Sequence, residues 1–319
     1  MENASVASLR ETLCSEETAL AVRFRALFSL KHVATTAESS SAIAAVEAIA
    51  AAFSSPSALL KHELAYCLGQ TKNDAAIQPL RRVLSDLQED PMCRHEAAEA
   101  LGALGKAENL QLLRHFRDRE GEEVVVTETC EIAIDRIEWE NSKERLQEND
   151  FASIDPAPPM PESERSVDEL EKTMLDVQQP LFMRYRAMFA LRDLASPPDC
   201  HTAVPAVLAL AKGFKDESAL FRHEIAFVFG QLSHPASIPA LTGALSDVNE
   251  ASMVRHEAAE ALGSLGGEEG VEDILKAFLQ DKETVVRESV IVALDMADYE
   301  KSADAEYALI PEAASAAAS

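Results

Sequence analysis

The eight residues HEAAEALG occupy positions 95–102 and recur unchanged at positions 256–263. The two copies start 161 positions apart, and each begins with a histidine followed directly by a glutamate. An identical stretch at that distance indicates that the chain contains a duplicated segment. Such internal repeats decide the fold, because each copy must fold in the same way.

Three longer pairs of segments match at the same offset of 161 residues. They are LAVRFRALFSLKHVA (20–34) with LFMRYRAMFALRDLA (181–195), HELAYCLGQ (62–70) with HEIAFVFGQ (223–231), and RHEAAEALGALG (94–105) with RHEAAEALGSLG (255–266). VVTETCEIAIDRIEWE and VVRESVIVALDMADYE form a fourth pair after a one-residue shift. Within each half the histidines of the HE pairs are 33 residues apart, from 62 to 95 and from 223 to 256. That period is the length of a helical-pair repeat.

The repeated segments have the apolar spacing of helices. In residues 95–105 the apolar stripe consists of Ala97, Ala98, Leu101 and Leu104, and glycines at 102 and 105 are expected to end the helix. Strand-like alternation is essentially absent. We therefore predict an all-α fold, an α-solenoid of roughly four helical pairs in each of two duplicated halves that face each other.

Composition divides the chain into four segments. The N-terminal repeat half covers residues 1–146, and the C-terminal repeat half covers 167–300. Between them, the polar, proline-rich residues 147–166 are expected to form an extended linker without a core of its own. The Ala- and Ser-rich residues 301–319 are expected to be a disordered tail.

The charge of the chain limits its partners. With 47% apolar and 26% charged residues, the chain is expected to be a soluble globular protein. Its 29 basic and 55 acidic residues give a net charge of −26, which repels phosphate backbones and anionic lipid head groups. We expect no nucleic acid and no membrane as a partner, whereas a cationic partner or substrate suits this field.

The sequence favours a cytoplasmic location. Residues 1–20 lack a cationic start followed by an apolar run, and the most apolar stretch, 42–53, is short and interrupted by Glu47. We therefore expect neither a secretion signal nor a membrane span. The five cysteines show no CxxC spacing, as is typical of reduced thiols.

Four of the eight histidines are followed directly by glutamate, at matched positions of two repeats in each half. Since stacked helices pack about 8–10 Å apart, equivalent side chains of neighbouring repeats can converge on a shared ion. Imidazole and carboxylate without a nearby thiolate favour Fe, Mn or Zn. Two histidines with one carboxylate form the arrangement of non-haem Fe(II) oxygen chemistry. One such set in each half predicts a pair of metals in the cleft between the halves.

The strongest ligand candidates are His62, His95, Glu96, His223, His256 and Glu257. Adjacent residues on a helix point about 100° apart, so Glu63 and Glu224 either complete the coordination or face the substrate. The alternative is that each glutamate only complements the dipole at a helix start. Four copies in matched register favour the metal site over that alternative.

Other histidine motifs do not fit the sequence. The residues four positions after the paired histidines are Tyr66, Glu99, Phe227 and Glu260, so the zinc-protease motif HExxH is absent. The remaining histidines lack a following acid and are expected to be exposed or locally hydrogen-bonded; they are His32, His115, His201 and His234.

Four HE motifs, paired in two halves of HEAT-like helical repeats joined by a linker, resemble the deoxyhypusine hydroxylase family. The similarity covers nearly the whole chain apart from the linker and about the last twenty residues. The resemblance implies a di-iron monooxygenase with two Fe(II) ions per chain. Its family hydroxylates the deoxyhypusine side chain of the eukaryotic translation initiation factor that carries hypusine, using O₂ and an external electron donor.

The resemblance also implies roles for individual residues. The positions that correspond to the family's iron site are His62, Glu63, His95, Glu96, His223, Glu224, His256 and Glu257. The positions that would line the substrate pocket are Glu63, Gly69, Gln70, Glu224, Gly230, Gln231 and Met253. Glu63 and Glu224 are the candidate catalytic residues, because a long polyamine-like cation needs negative groups nearby when it loses water.

The residues by themselves leave two other functions open. A metal-free HEAT scaffold would recruit partners through its concave face and contain no stoichiometric iron. A dinuclear hydrolase would use the same ligands to activate water. The sequence also does not indicate whether each ion is held within one half or across both.

Overall fold

The computed structural model of the protein describes residues 5–142, 151, 153–161 and 166–301. These residues form sixteen α-helices joined by turns and short 3₁₀ segments, and they contain no strand. The all-α prediction is confirmed. The tail predicted at 301–319 lies outside the described residues from position 302 onward.

Eight helices lie in each half of the chain. Those of the N-terminal half are α1 (Val6–Cys14), α2 (Leu20–Thr36), α3 (Ser39–Ala51), α4 (Ala58–Gln70), α5 (Ile77–Ser85), α6 (Pro91–Leu104), α7 (Leu110–Arg117) and α8 (Val124–Glu140). Those of the C-terminal half are α9 (Val167–Leu175), α10 (Leu181–Leu194), α11 (Ala203–Ala211), α12 (Ala219–Leu232), α13 (Ile238–Ser246), α14 (Ser252–Gly263), α15 (Val271–Lys276) and α16 (Thr284–Lys301). Each odd-numbered helix packs against the next helix, and the even-numbered helices α4, α6 and α8, and α12, α14 and α16, pack in series.

Local sequence fixes the ends of these helices. Ser57 and its counterpart Ser218 cap the N-termini of α4 and α12 through their side-chain oxygens. Gly105 follows α6 with φ of 71°, a left-handed conformation that glycine adopts without strain. Gly102 was expected to help end this helix, but it lies within α6, where it lets Ala133 of α8 approach closely.

A buried arginine repeats in both halves. Its Nε donates a hydrogen bond of 2.9–3.1 Å to the backbone carbonyl ten residues earlier, at Arg23, Arg94, Arg184 and Arg255. Each bond ties an even-numbered helix to the end of the helix before it. The satisfied guanidinium can therefore be buried without a large desolvation cost.

The two halves contact each other at two junctions. Helix α8 packs against α10 and α12, and α16 packs against α2 and α4. Ser57 Oγ donates to Glu288 at 2.8 Å, and Ser218 Oγ donates to Glu128 at 2.7 Å. Equivalent contacts at both junctions mean that the inner faces of α4, α6, α12 and α14 meet around one central space.

The described part of the linker packs against both halves. Ala157 and Met160 are buried in the apolar core of the C-terminal half, whereas the N-terminal half has a second core. The backbone N–H of Met160 donates to the Arg186 carbonyl at 3.1 Å. Proline and polar residues give this segment no helical period, yet it occupies a defined path between the repeats.

The five cysteines are free thiols, namely Cys14, Cys67, Cys93, Cys130 and Cys200. In the part of the chain that the structure describes, no helix has the length and apolar character needed to cross a membrane.

Candidate metal centre

Four inner helices each carry one His–Glu pair into the centre of the molecule. Helices α4, α6, α12 and α14 supply the pairs that begin at positions 62, 95, 223 and 256, and all eight side chains are buried. Because the pairs occupy the same register of each repeat, the duplicated sequence places them on facing inner surfaces.

The four imidazole rings form one cluster. The ring centroid of His62 lies 5.4 Å from that of His95, 5.7 Å from that of His223 and 5.2 Å from that of His256. The His223 ring lies 5.4 Å from both His95 and His256. Residues of the two halves are therefore as close to each other as residues of the same half.

The ring nitrogens of this cluster have no hydrogen-bond partner among the described residues. Both Nδ1 and Nε2 of each of the four histidines are buried and unsatisfied. A buried polar group without a partner costs about 1–3 kcal/mol, so eight of them at one place need an explanation. A ligated metal ion satisfies imidazole nitrogens directly and fits this donor set.

In each half, one carboxylate approaches a histidine of the neighbouring repeat in the same way. Glu96 Oε2 lies 3.3 Å from His62 Nε2, and Glu257 Oε2 lies 3.5 Å from His223 Nε2. Each pair joins neighbouring repeats, and neither has hydrogen-bond geometry. Nitrogen and oxygen donors thus converge in two equivalent places.

Three groups of residues have donor atoms within 4.8 Å of one another, namely His62 with His95 and His223, His223 with His256 and Glu257, and His95 with Glu96 and Glu99. The first group takes ligands from both halves, whereas the second lies within the C-terminal half. The same cluster therefore offers donor sets for an ion held across the two halves and for an ion held within one half.

Burial makes charge in this centre unfavourable. It raises the pKa of Glu63 to about 7 and that of Glu96 to about 8, and it lowers the pKa values of His62, His95 and His256. The pKa of Glu224 is also raised well above its usual range, because the carboxyl is buried and other carboxylates lie nearby. A cation in the centre would favour the ionised carboxylates.

Glu63 and Glu224 differ in their contacts although they occupy equivalent positions. Glu63 Oε1 accepts a weak hydrogen bond from Cys67 Sγ at 3.9 Å, whereas Glu224 Oε1 is buried without a partner. Both carboxylates face a cavity of about 200 Å³ next to the histidines. They are therefore placed to meet a ligand in that cavity.

A larger cavity adjoins the cavity beside the histidines. The larger cavity has a volume of about 590 Å³ and shares several lining residues with the first, namely Lys31, Tyr66, Phe227, Glu257, Glu260 and Met296. Tyr66 and Phe227 occupy equivalent positions on α4 and α12, and their rings meet at 5.9 Å. Carboxylates and aromatic faces together form surroundings that suit an organic cation.

Of the seven residues predicted to line the substrate pocket, Glu63 and Glu224 line the cavity beside the histidines, and the other five separate into two groups. Gln70, Gly230 and Gln231 line the larger cavity, but Gly69 and Met253 line neither cavity. Gly69 faces Ala100 of α6, and Met253 packs in the core of the C-terminal half.

Sequence reasoning did not assign a role to Glu99 and Glu260, which line the first cavity. Burial raises the pKa of both well above the usual range. Glu260 Oε1 lies 3.6 Å from His256 Nδ1 and accepts a hydrogen bond from Ser289. The spacing HExxE on α6 and α14 was the available signal, because residues four apart share a helix face.

The histidines outside the cluster lie where they were expected. His32, His115 and His201 are exposed. His234 is buried, and its Nδ1 accepts a hydrogen bond from the Ala236 N–H at 3.1 Å.

A profile of the family described as HEAT repeats matches residues 45–131 and 204–295. Fold and site together define a HEAT-repeat protein with a buried histidine–glutamate centre between its halves. Deoxyhypusine hydroxylases of Gibberella zeae and Neurospora crassa are 72% and 74% identical to the chain, covering 99% of it and 96% and 99% of their own lengths. The chain belongs to the deoxyhypusine hydroxylase family. The structure of human deoxyhypusine hydroxylase in complex with glycerol is 44% identical and covers 92% of this chain and 96% of its own, with a TM-score of 0.83.

Proposed function

We propose that this protein is a deoxyhypusine monooxygenase that hydroxylates the deoxyhypusine side chain of the hypusine-containing translation initiation factor. One oxygen atom of O₂ enters a C–H bond, and the other is reduced to water by two electrons from an external donor and two protons from solvent. The observation that carries this proposal is the cluster of four buried imidazoles with eight unpartnered nitrogens, in a chain of this family.

Six residues would hold two Fe(II) ions: His62, His95, Glu96, His223, His256 and Glu257. Their donors are imidazole nitrogen and carboxylate oxygen, and none of the three donor groups found in the described residues contains a thiolate. This set suits iron with open coordination positions. Bound iron would supply the activation of O₂ that amino-acid side chains cannot provide.

Glu63 and Glu224 are proposed to bind the amine of the substrate. Both line the cavity beside the histidines, and Glu224 has an unpartnered oxygen there. An ammonium group that leaves water needs a compensating charge, and a buried carboxylate provides one. Orientation by these two carboxylates would hold the carbon to be oxidised beside the iron ligands.

The side chains around the centre are proposed to exclude water from the cavity that receives the substrate. Aromatic side chains of Phe24, Phe28, Tyr66 and Phe227 line the cavity together with the carboxylates. A dry, shaped cavity strengthens each electrostatic contact with the substrate. The net charge of −26 would favour encounter with a cationic protein substrate and disfavour nucleic acid.

We place the activity in the cytoplasm. Its support is the five free cysteines, which suit a reducing compartment, and the proposed protein substrate, a translation factor.

The proposal is tested by reconstitution. Metal-free protein is loaded anaerobically with Fe(II) and then supplied with the deoxyhypusine-bearing factor, O₂ and a reductant. We expect about two iron atoms per chain, O₂ uptake, and a product that is heavier by one oxygen atom. A metal-free scaffold would bind no stoichiometric iron, and a hydrolase would consume no O₂, so either result would contradict the proposal.

A further inference from the structure

We propose that the linker forms a wall of the substrate cavity and makes the surroundings of the centre differ between the two halves. The linker residues concerned are Phe151 and 153–155. Phe151 and Ser153 line the larger cavity, which shares six lining residues with the cavity beside the histidines. This inference rests on the proposed function and adds a determinant of how the substrate side chain enters the site.

The N-terminal half holds the wall segment through two hydrogen-bonding side chains. Gln70 at the end of α4 donates from Nε2 to the Ile154 carbonyl at 3.2 Å, and its Oε1 accepts from the Ile154 N–H at 2.7 Å. Arg136 of α8 donates from Nε to the Asp155 carbonyl at 3.1 Å. The amide of Gln70 thus satisfies both backbone groups of one linker residue, which fixes the path of the chain there.

The C-terminal half holds the same segment through Gln231 and Arg192. Gln231 Nε2 donates to Ser153 Oγ at 2.7 Å, and its Oε1 accepts from Arg192 Nη1 at 2.9 Å. Arg192 Nη1 also donates to Asp155 Oδ1 at 2.9 Å, and its guanidinium lies 4.0 Å from the centroid of the Phe151 ring. Arg192 is fully buried, and its Nη1 donates to both Gln231 and Asp155. These two charge-assisted hydrogen bonds anchor the linker firmly.

Gln70 and Gln231 are therefore assigned as positioning residues. They occupy equivalent positions 161 residues apart, and both contact the linker, one from each half of the chain. Their amides are engaged by Ile154, Ser153 and Arg192. Their effect on the substrate is exerted through the wall segment.

The linker removes the symmetry that the duplication created. The residue equivalent to Arg192 in the N-terminal half is Lys31. Lys31 lines both cavities, with its Nζ 5.2 Å from the centroid of the Tyr66 ring, and has no ion-pair partner in the described residues. The linker thus covers and neutralises Arg192 in the C-terminal half, whereas Lys31 in the N-terminal half borders the cavity.

The wall is tested by two substitutions at one position with opposite expected effects. Phe151→Trp enlarges the ring of the wall and narrows the cavity, whereas Phe151→Ala removes the ring and widens it, and both leave the hydrogen bonds of Ser153 in place. In the iron-loaded protein we expect F151W to raise KM for the deoxyhypusine-bearing factor roughly tenfold with little change in kcat. The rate at which a chelator removes the metal is the second readout, and it does not depend on hydroxylation. That rate should fall several-fold in F151W and rise several-fold in F151A.

Met160→Ala is the matched control. Met160 belongs to the same linker and is buried, but it lines neither cavity. M160A should lower the stability of the protein and leave both KM and the chelator rate near their wild-type values.

The outcomes separate the wall from a purely structural linker. If F151W and F151A both change the chelator rate in the same direction, or change it no more than M160A does, the wall assignment is wrong. If the wild-type protein binds metal but does not hydroxylate the factor, the proposed function fails, and the chelator comparison still decides the wall.

Discussion

The imidazole rings of His62 and His223 lie with their centroids 5.7 Å apart, at an angle of 78°, although 161 positions separate the residues in the chain. Each half supplies only two of the four imidazoles in the cluster. Neither half alone therefore contains the complete donor set, and the contacts between the halves decide how the donors are placed.

The first prediction concerns the metal content of histidine variants. His95→Ala or His256→Ala removes a nitrogen donor that is fully buried and has no protein partner. Loss of one ligand should weaken iron binding by more than roughly 100-fold, since even outer contacts of such ligands are worth 10–100-fold. Elemental analysis after anaerobic loading measures the iron content, and circular dichroism should show that the helices remain.

His32→Ala is the control for that measurement, because His32 is exposed on α2 and lies outside the cluster. It should keep the full iron content. Unchanged iron in both the H95A and the H256A variants would contradict the ligand assignment.

The repeats made the fold, and the convergence of the four His–Glu pairs of the candidate site, predictable from the sequence. Identical registers of HE on helices of one period require those side chains to share a face, and the duplication then brings two such faces together. Glu99 and Glu260 were not assigned, because the HExxE spacing shows that they share a helix face but not that the face is turned into a cavity. The contacts of Gln70 and Gln231 with the linker were also beyond sequence reasoning, since residues 151–161 have no period that predicts a packed path.

The second prediction separates substrate binding from metal binding. Glu224→Gln keeps the shape of the side chain and removes its charge from the cavity. We expect the iron content to stay unchanged and KM for the substrate to rise roughly 30-fold or more, equivalent to about 2 kcal/mol for a buried charged contact. Kinetics combined with iron analysis of the same preparation provide both values.

Glu217→Gln serves as the matched control for this variant, because Glu217 is exposed near the start of α12. A Glu224→Gln protein that loses its iron would instead indicate that this carboxylate is a ligand.

The third prediction concerns the pH dependence of stability in metal-free protein. Burial raises the pKa of Glu63 to about 7 and of Glu96 to about 8, from a usual value of 4.5. Between pH 4.5 and these raised pKa values, the native state keeps protons that the unfolded state has lost. The free energy of unfolding therefore falls as pH rises. Below pH 6.5 the opposite effect operates, because burial lowers the pKa values of His62, His95 and His256 and the unfolded state binds the extra protons.

The two effects leave pH 6.5 to 8 as the window in which the carboxyl groups act alone. The free energy of unfolding in a chelator should decrease there by about 1.4 kcal/mol per pH unit for each carboxyl that remains protonated. Urea titrations at several pH values measure it. Fe(II) should remove the part of the decrease that comes from Glu96, a proposed ligand, since ligation requires an ionised carboxylate. Parallel curves with and without Fe(II) would show that Glu96 does not bind the metal.

The fourth prediction uses two equivalent glycines that differ in the space around them. A Cβ at Gly69 would lie 2.8 Å from Cα of Ala100, whereas a Cβ at Gly230 would lie 3.5 Å from Cα of Ala261. Gly69→Ala should therefore push α4 away from α6 and lower the free energy of unfolding by about 1–3 kcal/mol. Gly230→Ala meets only ordinary van der Waals contact and should stabilise α12 by up to about 1 kcal/mol.

The same pair of variants tests whether the packing of α4 against α6 affects metal binding in the centre. Helices α4 and α6 carry His62 and His95, so a displacement at Gly69 should also weaken iron binding, whereas Gly230→Ala should leave it unchanged. Urea denaturation and iron analysis of both variants provide the comparison. Equal stability and equal iron content in the two variants would mean that the close contact of α4 with α6 does not set the separation of the histidines.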